Sequence, residues 1–198
     1  MKLWAFILGI LLILAGRVGA ETGVDTEKLR TIGVENKTIL YLFSSPSCPH
    51  CAAFHRDILP VLKKDVVEQG LAQIKLVDMP GDPRAMRASL LARCMTDDQY
   101  EMYMGRVYEN QQYWLSGKSP DDMLRGYATL SGLPQQSQKR CIGNKKLANH
   151  VIQQGMGLAQ IYQVEALPTL VVVQGEKHHS FVGADERIIP EIMKLLKP

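Results

Sequence analysis

The residues Cys48-Pro49-His50-Cys51 stand at a seam between two kinds of hydrophobic pattern, and that seam limits the folds open to the chain. Upstream, residues 37–44 (KTILYLFS) form a short β-branched and aromatic run with the length of a buried strand. Downstream, over residues 49–69, Phe54, Ile58, Val61 and Leu62 recur at helical spacing until Gly70. A bend in this helix is expected at Pro60. A strand that feeds a helix through Ser44-Ser45-Pro46-Ser47 puts Cys48 at the helix N-terminus, where free amides and the helix dipole favour a thiolate. Pro49 pre-sets the first turn, and the imidazole of His50 can stabilise the thiolate further. Cys51 lies one turn deeper and can close on Cys48.

The rest of the pattern extends this opening. Residues 72–78 (AQIKLVD) read as a second strand, stopped by Pro80-Gly81-Asp82-Pro83. Residues 21–36 read as a mixed polar lead-in. From 84 to 162 the pattern is helical, in four or five elements broken at Thr96, 116–120, 132–134 and 143–144. Ser119-Pro120-Asp121-Asp122 carries a cap, a proline and acids where a helix start wants them. Residues 168–174 (PTLVVVQ) then form a strand, Gly175-Glu176 a tight turn, 177–182 its partner strand, and 188–196 an amphipathic helix. Strand material flanking a helical insertion predicts a single α/β core with a second layer of helices over it.

Several chemistries compete for the cysteine pair. Structural zinc needs four ligands and no second C-x-x-C is present; no metal site is expected. Covalent haem would need His after Cys51, where Ala52 stands. A purely structural bond between cysteines one turn apart closes too small a loop to add much stability. Thiol-disulfide chemistry, with no added cofactor, is the favoured reading.

The motif at 47–55 (SCPHCAAFH), followed by Ile58-Leu59-Pro60, Asp78-Met79-Pro80 and Leu167-Pro168-Thr169, resembles the DsbA-like branch of the thioredoxin superfamily. The resemblance implies a thioredoxin fold with a helical insertion, and a cis Pro168 facing the Cys48–Cys51 disulfide, with Leu167 and Pro168 receiving a substrate strand. It also implies an oxidase that passes its disulfide to reduced cysteine-containing exported proteins and is recharged by a quinone-linked membrane partner similar to DsbB. Two residues depart from the pattern. Many relatives have an acid six positions before the first cysteine, where this chain has Leu42, and Leu167 replaces the more usual Val or Thr before the proline.

Cys94 and Cys141 lie inside the helical block, at positions where a subset of DsbA-like proteins carries a second pair. A 94–141 bond would contribute roughly 4 kcal/mol through loop closure. Two buried thiols, or a regulatory pair, remain open alternatives.

The opening residues bear on the compartment. Lys2, an uncharged run over 3–15, and small residues at Val18 and Ala20 form a secretory signal layout, with cleavage expected after Ala20. The mature chain would then be one domain over 21–198. Export to the periplasm would let disulfides persist. The formal net charge of +3 is scattered, with no basic run interleaved with aromatics, which argues against nucleic-acid binding. A monomer is expected. The rival readings are a disulfide isomerase or reductase, and a non-enzymatic protein binding a soft ion such as Cu(I) through Cys48 and Cys51. Tyr100, Met102, Tyr103, Met104 and Tyr108 are expected to pack in or on helices. His55 and His150 are expected on helix surfaces, and His178 and His179 on opposite faces of a strand.

Overall fold

The computed structural model describes residues 25–196, so the expected signal segment lies outside the described residues. Five strands form one mixed sheet in the order β1-β3-β2-β4-β5. The central strand β2 (Thr38–Ser44) pairs in parallel with β3 (Gln73–Asp78) and antiparallel with β4 (Thr169–Gln174). β5 (Lys177–Val182) returns antiparallel to β4 through the Gly175-Glu176 turn. The polar lead-in contributes more than expected. β1 (Arg30–Ile32) pairs antiparallel with β3, placing Thr31 opposite Lys75. Three residues without an alternating pattern gave no strand signal.

The pleat of β2 sorts its side chains between two cores. Leu40 and Leu42 join Ile74, Leu76, Leu170 and Val172 under Phe54, Ile58, Leu62 and Ile192. Phe43, Val77 and Val171 face the other way, toward Leu158 and Tyr162. Parallel β2 and β3 need a helical crossover between them. It comprises α1 (Pro49–Ala53), α2 (Leu59–Leu62) and the π-helical turns Phe54–Ile58 and Lys63–Val67. Widened turns therefore appear where a bend at Pro60 is expected. Pro60 has no amide hydrogen, and just before it the Leu59 amide reaches back five residues to the Phe54 carbonyl. Gly70, at φ +67°, closes the run.

Six helices, rather than four or five, fill the insertion: α3 (Pro83–Arg93), α4 (Asp97–Glu109), α5 (Gln111–Ser116), α6 (Pro120–Leu130), α7 (Gln135–Ile142) and α8 (Lys145–Tyr162). The extra break falls at Asn110, whose side chain caps the end of α4 by donating to the Arg106 carbonyl. Thr96 and Gln99 form a reciprocal capping box on α4. Trp114, Tyr103, Leu124 and Met95 centre the insertion core, and Cys51 and Ala52 belong to the same cluster. The buried side of the C-x-x-C turn is thus walled by the insertion. α9 (Ile188–Leu196) closes the fold with Ile192 and Leu196 buried.

Candidate active site

β2 ends at Ser44, and the turn that follows is fixed by its own backbone, the Cys48 amide donating to the Ser45 carbonyl at 3.1 Å. Cys48 is the N-cap of α1, in extended backbone geometry, with Pro49 in the first turn. The insertion also holds this turn. The buried amide of Gln111 donates to the Pro46 and Cys48 carbonyls at 2.8 and 2.9 Å. Nothing in the spacing of the chain singles out Gln111.

Cys48 and Cys51 are present as thiols, the first partly exposed and the second fully buried. The Leu167–Pro168 bond is cis, and the Leu167 carbonyl lies 3.7 Å from Cys48 Sγ. The residue pairs expected to meet, Cys48 with Cys51 and with the Leu167-Pro168 loop, are therefore brought together. Burial pushes the Cys51 thiol up to about 12, opposed by the Ser45 amide, which donates to its sulfur at 3.4 Å. His50 is exposed in the first turn, and among the described residues no hydrogen bond joins it to Cys48. Leu42 is fully buried among apolar side chains, so no carboxylate stands at that position.

His55 corrects the expectation of an ordinary surface residue. Its ring stacks on Tyr108 with centroids 4.0 Å apart, and its Nε2 lies 3.3 Å from Ser44 Oγ. Burial, with Lys63 nearby, pushes this imidazole down to about 3. Its helical spacing looks like that of a surface residue because its partners come from β2 and α4. His150 is half-buried, its Nε2 2.7 Å from the Glu27 carbonyl oxygen. Tyr103, Met104 and Tyr108 are buried as expected, while Met102 is exposed.

Cys94 and Cys141 are joined in a disulfide between the end of α3 and α7. Beside Leu167, a cleft of about 340 Å³ is walled by Met79, Pro80, Ile152, Met156 and Ala166. The described residues contain no group of three or more His, Cys, Asp or Glu side chains able to hold a metal ion.

A strand-turn-helix bearing two thiols, faced by a cis-proline loop and carrying a helical insertion, defines a class that the comparisons with known proteins reach independently. The thioredoxin family model matches residues 25–187, and the chain belongs to that family. A Rickettsia felis protein named "Putative protein-disulfide oxidoreductase" is 25% identical over 130 residues, 65% of this chain and 47% of that protein. The chain spans about half the length of the curated relatives it matches. Wolbachia pipientis alpha-DsbA1 superposes with a TM-score of 0.75 at 20% identity, covering 85% of this chain and 90% of the other. A protein-disulfide isomerase from Novosphingobium aromaticivorans gives a TM-score of 0.68 at 19% identity, covering 85% and 97%. The fold is that of DsbA-like proteins with their helical insertion.

Proposed function

We propose that the protein is a thiol-disulfide oxidoreductase that donates its Cys48–Cys51 disulfide to reduced, cysteine-containing proteins outside the cytosol. The observation that carries this reading is the division of labour between the two sulfurs. Cys48 is reachable and faces the Leu167 carbonyl, whereas Cys51 is fully buried. A substrate thiolate attacks Cys48 Sγ of the disulfide, and Cys51 leaves as a thiolate that takes up a proton. A second substrate thiolate then attacks the substrate sulfur of the mixed disulfide and expels Cys48. The exposed Ile152 and Met156 beside Leu167 offer apolar contact to an extended substrate segment. The relatives' names support the chemistry, and the signal-like residues 1–20 support export to the periplasm, where a membrane oxidase similar to DsbB would recharge a monomeric protein.

The test is the equilibrium reduction potential of the Cys48–Cys51 pair against glutathione, in a Cys94→Ser/Cys141→Ser background. A value near or above about −150 mV supports disulfide donation; one near −250 mV or lower moves the protein to the reductases or isomerases.

A further inference from the structure

α4 gives way to α5 at Asn110, and the first side chain after that break points into the protein. Gln111 is 7% exposed, and its amide nitrogen spans the active-site turn, donating to the Pro46 carbonyl at 2.8 Å and the Cys48 carbonyl at 2.9 Å. Both partners accept and neither can donate, so the NH2 end of the amide faces them, with one hydrogen for each carbonyl. The turn is short of donors of its own. Pro46 and Pro49 have no amide hydrogen, and the Cys48 amide is committed to the Ser45 carbonyl. The Cys48 carbonyl also accepts from the Ala52 amide at 3.1 Å, the first hydrogen bond of the helical run.

The electrostatics of that turn bear on the sulfur. A carbonyl oxygen carries partial negative charge, and Cys48 must carry a full one each time it is expelled as a thiolate. A sulfur at a helix N-cap is favoured as an anion while the first-turn amides face it and the neighbouring carbonyls are turned away and compensated. Gln111 serves both conditions. It places positive hydrogens on the two carbonyls and holds Cys48 extended, at φ −84° and ψ 121°, with Sγ 3.7 Å from the Leu167 carbonyl.

Resting on the oxidoreductase reading above, we propose that Gln111 is a positioning residue that makes Cys48 a good leaving group. The insertion, and not the thioredoxin core alone, then sets how strongly the protein donates its disulfide. In the step Gln111 serves, a substrate thiolate attacks the substrate sulfur of the mixed disulfide. A new S–S bond forms between the two substrate sulfurs, the bond to Cys48 breaks, and Cys48 departs with the bonding pair as a thiolate, with no proton transferred to it. Gln111 acts on this step through the two carbonyls. The opening attack on the Cys48–Cys51 disulfide expels Cys51 instead, so Gln111 has little hold on it.

The test equilibrates the protein with glutathione at pH 7, traps with acid, and reads the redox state of each cysteine by peptide mass. Gln111→Met, which keeps the length of the side chain and loses both donors, is expected to move the equilibrium of the Cys48–Cys51 pair about tenfold toward the disulfide, or about 30 mV for this two-electron couple. Gln111→Glu, ionised and without N–H groups at pH 7, shifts it in the same direction. Trp114→Phe is the control for a loosened α5, because it loses the bond from Trp114 Nε1 to the Val107 carbonyl and leaves the turn alone. It is expected to lower the melting temperature while the equilibrium stays within about twofold of wild type. In a Cys51→Ala background, where Cys48 holds glutathione as a mixed disulfide, Gln111→Met is expected to slow expulsion of Cys48 by reduced glutathione about threefold. Circular dichroism melts establish which variants are folded, and either Gln111→Met or Gln111→Glu suffices. An equilibrium unchanged in the Gln111 variants, one moved toward the dithiol, or one moved equally by Trp114→Phe overturns the assignment of Gln111. Failure of the wild-type Cys48–Cys51 pair to exchange with glutathione at all overturns the oxidoreductase reading instead.

Discussion

Arg93 and Asp78 form a nearly buried ion pair, with Arg93 Nε donating to Asp78 Oδ2 at 2.6 Å. The same guanidinium donates to the Lys28 carbonyl and to Gln154 Oε1, both at 2.8 Å. One side chain on α3 therefore ties together the chain before β1, the end of β3 and α8. Removing one partner of such a pair leaves the other charge buried and uncompensated. Arg93→Met is expected to cost about 3–5 kcal/mol in urea unfolding, and Arg93→Met/Asp78→Asn to recover part of that loss.

The unequal burial of the two active-site thiols has a direct chemical readout. With its thiol pushed up to about 12 and no exposed surface, Cys51 stays protonated and shielded at pH 8. Brief iodoacetamide treatment of the reduced, folded protein at that pH is expected to label Cys48 and leave Cys51 unmodified, as read by peptide mass mapping. Labelling both at similar rates would contradict the burial described for Cys51.

His55 makes stability depend on pH in a defined direction. Its imidazole titrates near 6.5 when unfolded and at about 3 when folded. Between those values the unfolded chain binds the extra proton, so stability falls as pH drops from 6.5 toward 3, by up to about 1.4 kcal/mol per pH unit. Above 6.5 this contribution is constant. Urea melts at pH 7 and 4.5 are expected to show a smaller loss for His55→Phe than for wild type. The carboxylates that also titrate in this window are common to both.

Gly155 is where α8 crosses the end of β3. A Cβ there would lie 2.5 Å from the Asp78 carbonyl oxygen and 2.9 Å from Met79 Sδ, whereas one at Gly157 meets nothing within 4 Å. Gly155→Ala is expected to lose about 1–3 kcal/mol through overpacking. Gly157→Ala is expected to gain up to about 1 kcal/mol from helix propensity. The pair of melts separates the close approach from any general effect of alanine in α8.

The strand and helix order was legible because runs such as TILYLFS and TLVVVQ carry their burial in their own composition. The Cys48–Cys51 turn was legible for the same reason, since a strand, a proline and a helix mark its place. What escaped depends on partners distant in sequence. Ser44, His55 and Tyr108 meet across separations of 11 and 64 residues, and Gln111 reaches the turn across 63 and 65. The break at Asn110 lies in otherwise continuous helical sequence, and the π-helical turns left no periodic trace.

The Cys94–Cys141 bond joins α3 to α7 over a sequence separation of 47 and leaves Cys141 nearly buried. In the unfolded chain that crosslink removes loop-closure entropy, roughly 4 kcal/mol for a loop of this length. Cys94→Ser/Cys141→Ser is expected to lower the urea-unfolding free energy by about that amount, less whatever residual structure the unfolded chain retains. Because Cys94 packs both on the insertion core and on Leu90, Leu147 and Val151, the loss should extend to the wall around Cys51. Hydrogen exchange would then show reduced protection in α3, α4 and α6 together, with the β2–β4 ladder less affected. Equal loss of protection in that ladder would mean that the sheet and the insertion unfold as one unit.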